Sequence, residues 1–418
     1  KGCLMNRIEL DEILRMAMKK GASDVHLKAG IMPVIRRHGI LRPLSLDLPQ
    51  LTGDEIDSMA NKVMDTRTKE TFDRLHEVDL GYGISGLGRF RVNIFKQRGT
   101  TRMVIRNIPH LVPSFQELNL PPVLTQIADY ERGLVLVTGV TGSGKSSTLA
   151  AIIDHINRAK NKHILTIEDP IEFLIRDRKS IITQRELGVD AVGYANALRA
   201  ALRQDPDVIL IGEMRDRESI EIALVAAETG HLVLSTLHTL DARETVNRII
   251  SAFEPQHQQQ VRIQLAGLLR AVISQRLARK KDRSGFIPAV EIMINNARIR
   301  EMIEDRDKTK HILQAIEESE IPWGMQSFDQ CLLKLLGTDT ITFEEALALS
   351  SNPDDFRMRY SGVNAMDGKN WTSGVVDQRV SEEWHGLSEV EIETPPEFRR
   401  NSKSSNGKKN QNDDEDDD

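Results

Sequence analysis

"GVTGSGKS", residues 139–146, is the stretch on which the reading of this 418-residue chain turns. It fits the spacing G-x-x-x-x-G-K-[ST], with the apolar run "LVLVTG" leading into it and a helix-like segment following. Glycines at this spacing let backbone amides curl around phosphates, helped by the N-terminus of the next helix. In such a loop Lys145 reaches the β- and γ-phosphates of ATP and the Ser146 hydroxyl binds Mg²⁺. Gly139, Thr141, Gly142, Ser143, Gly144 and Ser147 complete the candidate phosphate-binding loop.

Outward from this loop the texture is strand–helix alternation. "LVLVTG", "HILTIED", "VILIGE" and "HLVLSTLH" are apolar runs of the kind buried on both faces, separated by helix-length segments. That pattern predicts an α/β domain with a mainly parallel sheet. Ligands of such sheets bind at the carboxyl ends of the strands. The second run ends in Glu168 and Asp169 with Glu172 just beyond, the third in Glu213 and the fourth in His238. Three strands thus place ionisable groups where the first places its phosphate loop. His238 is positioned to sense or hydrogen-bond a γ-phosphate, whereas His231, at the opposite end of its strand, suits a structural or subunit-contact role.

Hydrolysis needs a metal to neutralise phosphate charge and a carboxylate to orient water. Glu213 stands where a Walker B acid would, although the aspartate that often precedes it is Gly212 here. Glu213 and Asp169 are candidate metal-facing acids. Glu168, Asp169 and Glu172 form a second acidic cluster, and either Glu172 or Glu213 would position or deprotonate the attacking water.

The composition narrows the class. Hydrophobic residues at 39% and charged residues at 28% suit a soluble globular protein. Aromatics at 4% argue against a stacking platform for single-stranded nucleic acid. The two cysteines, Cys3 and Cys331, exclude a disulfide scaffold and a four-cysteine zinc site. No apolar run approaches the roughly 20 residues of a membrane span. A cytosolic protein without direct membrane insertion is therefore expected, with Met5 as a candidate start. Of the net charge of −6, residues 364–418 contribute −7, from 14 acidic and 7 basic side chains. The remaining 363 residues carry +1, which offers no electrostatic footprint for duplex DNA.

Leu10, Ile13, Leu14, Ala17 and Met18 repeat at helical spacing until "KGASDVHLKAG" breaks the pattern. Short strand-like pieces follow, including "VIRRHG" and "RFRVNIF", so residues 5–107 form a small α+β unit. Residues 108–122, rich in proline, form a linker. The ATPase-type core spans 123–285, and 286–363 is a helical C-terminal region. The highly charged segment 364–418 is expected to be disordered. "RFRVNIFKQRGTTRMVIRNIP" has the form of a hairpin turning at Arg98–Gly99, which makes Arg91 and Arg106 cross-strand partners. Adjacent guanidiniums favour an anion between them, and a γ-phosphate would serve, supplied in cis or across a subunit boundary.

Together, "GVTGSGKSSTL", "ILTIEDPIEF", "LRQDPDVILIGEMRD" and "AAETGHLVLSTLHT" resemble the Walker A, Asp box, Walker B and His box of secretion-type ATPases. The nearest resemblance is to the PilT family of type IV pilus twitching-motility, or retraction, ATPases. "ASDVHLKAG" and "GMQSFDQCL" extend it over residues 8–363. The resemblance implies a homohexameric ring in which a PAS-like N-terminal domain packs on a RecA-like ATPase domain. ATP would sit between the domains, with Arg91 and Arg106 at the family's N-terminal finger positions. It further implies work on an inner-membrane platform protein of the pilus machinery, from the cytoplasmic face of that membrane.

The family's "AIRS"-type motif, linked to retraction, falls on Arg298–Glu301, where Ile299 and Arg300 match and the flanking positions do not. The chain lacks the larger N-terminal region and the zinc-binding cysteine cluster usual in extension ATPases. Retraction is thus favoured over assembly, type II secretion or an accessory retraction role. A nucleic-acid translocase and a nucleotide-switched scaffold are the readings from other classes.

Overall fold

The computed structural model describes residues 8–37, 39–109 and 111–362. The expectations for Met5 and for the acidic segment 364–418 lie outside the described residues. The first helix, Leu10–Lys19, buries Leu10, Ile13, Leu14 and Ala17 along the stripe that the spacing predicted. It packs with helices Gly53–Val63 and Thr66–Leu75 over an antiparallel sheet. The strands are β1 Asp24–Lys28, β2 Val34–Arg37, β3 Ile40–Pro43, β4 Glu77–Ile84, β5 Gly88–Gln97 and β6 Thr100–Ile108. Their order is β3-β2-β1-β6-β5-β4. The segment expected only to interrupt a helix therefore supplies β1, an interior strand paired with both β2 and β6.

The second sheet has seven strands: β7 Gly133–Thr138, β8 His163–Glu168, β9 Ile181–Glu186, β10 Val208–Ile211, β11 Leu232–Leu237, β12 Leu269–Arg279 and β13 Phe286–Ile294. Their order is β13-β12-β7-β11-β10-β8-β9, and every neighbouring pair is parallel except β12 and β13. β7 and β11 are buried at every position, as strands covered by helices on both faces must be. The parallel registers bring Thr138 beside Leu237, and Ile211 beside both Ile167 and Ser235. The carboxyl ends of β7, β8, β10 and β11 thus share one rim.

The domain break expected at residue 285 does not match this sheet. It would part β12 from β13, which pair as an antiparallel hairpin from Ala271–Ile294 to Arg279–Phe286. Helices resume after the sheet, at Ala297–Glu304. The motif Arg298–Glu301 lies on that helix, with Ile299 buried and Arg298 paired to Glu318 at 2.7 Å. The connecting segment between the two sheets contributes Phe115 and Leu120 to the core of the larger domain. A polar contact also joins the domains: Arg89 Nη2 on β5 lies 3.3 Å from Glu186 Oε2, the buried last residue of β9. Among the described residues no helix is long and apolar enough to cross a membrane.

Candidate nucleotide site

The phosphate loop leaves β7 and turns into helix Lys145–Ala159. Two of its glycines are dictated by geometry. Gly139 has φ +139°, and a Cβ there would stand 2.4 Å from the Gln275 carbonyl oxygen and 2.6 Å from Ser143 Oγ. Gly144 caps the helix in the left-handed region, φ +95°. Gln275 on β12 donates from Nε2 to Thr148 Oγ1 at 2.8 Å, fixing the first turn of the helix against the sheet. Lys145 Nζ donates to the carbonyls of Gly139 (2.7 Å) and Val140 (3.0 Å). Burial pushes the Lys145 pKa down, against the opposing pull of the Glu213 carboxylate.

A cleft of about 730 Å³ opens over this rim. Thr141, Gly142, Gly144, Lys145, Ser146 and Ser147 line it from the loop. Glu168, Asp169, Glu172, Glu213 and His238 line it from the ends of β8, β10 and β11. Gly139 and Ser143 lie buried beneath. Glu213 is held from two sides, accepting from Arg215 Nε at 2.7 Å and facing His238 Nε2 at 3.2 Å. Its side chain is 18% exposed, that of His238 45%.

Gly212, the departure from the usual Walker B pattern, has a steric cause. A Cβ at this position would lie 2.9 Å from Tyr194 Oη and 3.2 Å from the Ile167 carbonyl oxygen. Tyr194 fills the place where a longer side chain would go. Burial raises its own pKa, and the nearby carboxylates Asp169, Glu213 and Glu168 add to the rise.

The second acidic cluster divides by environment. Glu168 Oε1 accepts from Thr166 Oγ1 at 2.7 Å and from Gln184 Nε2 at 3.1 Å, while burial pushes its pKa up. Asp169 and Glu172 are exposed into the cleft. The peptide bond Asp169–Pro170 between them is cis. Among the described residues no group of three or more His, Cys, Asp or Glu is arranged to hold a metal. Mg²⁺ in nucleotide sites does not need such a cage, since substrate phosphates and water supply most of its ligands.

The arginine hairpin turns at Arg98 (φ 52°) and Gly99 (φ 78°), and Arg91 pairs with Arg106 as the symmetry required. The need for an anion between the two guanidiniums does not follow, because each has its own carboxylate. Arg91 Nε lies 3.5 Å from Asp79, and Arg106 Nε donates to Asp24 at 3.0 Å. Arg106, 70% exposed, lines the nucleotide cleft together with Asn107. Arg91 is not among the residues lining it. His231 sits at the other end of β11, its Nδ1 donating to the Ala226 carbonyl at 2.9 Å, so the local helix end accounts for it.

Sequence reasoning missed Tyr194, Arg215, Thr166 and Gln184. Arg215 had a signal, two positions beyond the acid it holds. Thr166 lies within a strand that the sequence did show, while Tyr194 lines the cleft from a helix and Gln184 holds Glu168 from β9, placements that depend on packing the sequence pattern does not encode.

The family model described as Type II/IV secretion system protein matches residues 4–311. The chain belongs to this family. This type II/IV secretion family chain is 43% identical over 349 residues to the Type IV pilus retractation ATPase PilT of Pseudomonas aeruginosa, covering 84% of this chain and 100% of that one. It is 44% identical over 324 residues to the Twitching motility protein of Neisseria gonorrhoeae, covering 77% and 85% of the two chains. Among solved structures, the crystal structure of the pilus retraction motor PilT with bound ADP matches with a TM-score of 0.77 and 42% identity. The match covers 83% of this chain and 98% of that one. Like these relatives in the secretion family, the protein is an ATPase with a RecA-type α/β core.

Proposed function

We propose that this secretion-family ATPase is a motor that withdraws type IV pili, driven by ATP hydrolysis in the cleft between its two domains. The observation that carries the reading is that one cleft gathers the phosphate loop, three acidic or imidazole strand ends and a small-domain arginine, Arg106. A ligand contacting both domains couples its own chemistry to their relative orientation, which is what a motor requires.

In this reading Lys145 exchanges its two loop carbonyls for the β- and γ-phosphates. Glu172, exposed into the cleft, orients and deprotonates the attacking water, while Glu213 is tied to Arg215 and His238. Ser146 and Glu213 would hold Mg²⁺, with Asp169 as a further candidate, and the ion would supply charge neutralisation at the phosphates. Arg106 stabilises charge on the phosphate from the small domain, and Arg91 acts across a subunit boundary. The motor works as a homohexamer at the cytoplasmic face of the inner membrane, against a platform protein of the pilus machinery.

Phosphate release by wild type, Lys145→Ala and Glu172→Ala tests the chemistry. Both variants are expected to fall at least about 100-fold. Equal, near-background rates for all three proteins would leave only a nucleotide-binding scaffold. Imaging pili in cells carrying Glu213→Ala tests the direction of work: fibres that extend but no longer shorten are expected, and normal shortening would remove the retraction reading.

A further inference from the structure

The strand β13, "FIPAVEIMI", carries a carboxylate in its apolar middle. Glu291 is 2% exposed, and a buried carboxyl group calls for a partner. Glu291 Oε1 accepts the N–H of Ala242 at 2.8 Å. Ala242 is the first residue of helix Ala242–Ser251, where backbone N–H groups have no acceptor within the helix. The turn from His238 to Asp241 joins this helix to the end of β11. Inside the turn the bonds are local: the Asp241 side chain accepts from Glu244 N, Glu244 Oε2 accepts from Leu240 N, and Thr239 Oγ1 meets Thr245 Oγ1. Glu291 reaches in from β13, with β12 and β7 lying between it and β11 in the sheet order, and fastens the turn to the frame of the sheet.

Three charged groups act on Glu291. Asp241 faces it from the helix cap, Arg276 from β12 and Asp329 from helix Phe328–Gly337. Arg276 lies 3.8 Å from the centroid of the Phe328 ring and donates to the Leu349 carbonyl. These groups border a cavity of about 870 Å³, whose wall also carries Arg243, Glu244, Lys310, His311, Glu317, Asp355 and Arg359. Burial pushes the Glu291 pKa up to about 7, the Ala242 N–H and Arg276 acting against it, Asp241 and Asp329 with it. Charged or neutral, the carboxyl group keeps an oxygen able to accept the Ala242 N–H.

We propose that Glu291 is a positioning residue for ATP hydrolysis: by accepting the Ala242 N–H it sets the turn that holds His238 against Glu213. This rests on the reading of His238 as a group facing the terminal phosphate. A misplacement of the order of one ångström at a reacting centre is enough to cost a large factor in rate while leaving nucleotide binding intact.

Three variants separate this role from plain core packing. Glu291→Gln keeps the acceptor, and Glu291→Leu removes it at similar volume. Ala242→Pro removes the donor at a helix position that tolerates proline. Asp241 is already extended (φ −149°, ψ 172°), as a residue before proline must be. The measurements are phosphate-release kcat and KM, ADP affinity by titration with a fluorescent analogue, and melting temperature. Glu291→Gln is expected within about threefold of wild-type kcat, while Glu291→Leu and Ala242→Pro fall roughly 10- to 100-fold with ADP affinity nearly unchanged. Wild-type kcat in folded Glu291→Leu or Ala242→Pro overturns the proposal, as does a Gln variant as impaired as Leu. Loss of ADP binding in step with kcat overturns it too. Should the Leu variant not fold, Ala242→Pro decides. His238→Ala is measured alongside: an unimpaired rate there defeats the reading of His238, whereas an impaired rate with unimpaired Leu and Pro variants defeats only the role of Glu291.

Discussion

His238 Nε2 stands 3.2 Å from Glu213 Oε1, so the ends of the neighbouring strands β11 and β10 are joined by a side-chain contact directly over the nucleotide cleft. Glu213 is at the same time held by Arg215. Removing the imidazole leaves the carboxylate pinned from one side only. His238→Ala is expected to lower kcat about 100-fold with ADP affinity changed little, because positioning and not ground-state binding is lost. Phosphate-release kinetics with a parallel ADP titration check this. A rise in KM at constant kcat would count against it.

Gly212 gives a second test. Writing the more usual aspartate at this position, Gly212→Asp, pushes a Cβ into Tyr194 Oη and the β8 backbone. The expected cost is about 1–3 kcal/mol of stability, as for other overpacked sites. Tyr194→Phe removes the nearer of the two obstacles, so the double variant should recover part of the loss in thermal melting. Equal melting temperatures for wild type and Gly212→Asp would show that the site relaxes freely.

Two arginines of one strand should behave differently. Arg89 faces Glu186, whose side chain is 8% exposed, while Arg91 faces Asp79, whose side chain is 50% exposed. A surface pair contributes about 0–1 kcal/mol, whereas stranding a buried carboxylate costs more, about 1–3 kcal/mol. Arg89→Ala is therefore expected to melt several degrees below Arg91→Ala. The reverse order in denaturant or thermal unfolding would contradict the contact described.

Glu291 makes stability depend on pH with a definite sign. Its pKa rises on folding from 4.5 to about 7, so the unfolded chain gives up this proton first. The favourable contribution is complete below 4.5 and disappears as the pH climbs to about 7. Glu291→Gln does not titrate. Its stability relative to wild type should increase between those two pH values, by up to roughly 3 kcal/mol. Melting curves across that range decide, and a gap that shrinks with rising pH would refute the direction.

The rim of the large sheet was legible because its strands are mostly aliphatic runs whose carboxyl ends carry the ionisable groups. β7, β8, β10 and β11 needed no partner information to be recognised. Strands with a mixed pattern were legible only in part: β2 and β5 were read as strand-like, whereas β1, β9 and β13 were not. β1 is five residues between glycine-containing turns, β9 alternates weakly at the edge, and β13 contains Pro288 and Glu291. The pairing of Arg91 with Arg106 followed from turn symmetry, since register is a local property of a hairpin. Their ion-pair partners did not, because Asp24 lies on β1 and Asp79 on β4, and no hairpin pattern says which carboxylates neighbouring strands will present. Gly212 was visible as a departure from pattern, but its reason, Tyr194, needed the packing of helix Tyr194–Ala201.

The contact between Arg89 and Glu186 has a mechanical meaning. Glu186 Oε2 also lies 3.5 Å from Ile171 N, inside the segment that carries Asp169 and Glu172. One carboxylate therefore links the small sheet to the acidic segment of the large domain. External load on the small domain thus has a direct mechanical route to the acidic rim of the nucleotide cleft.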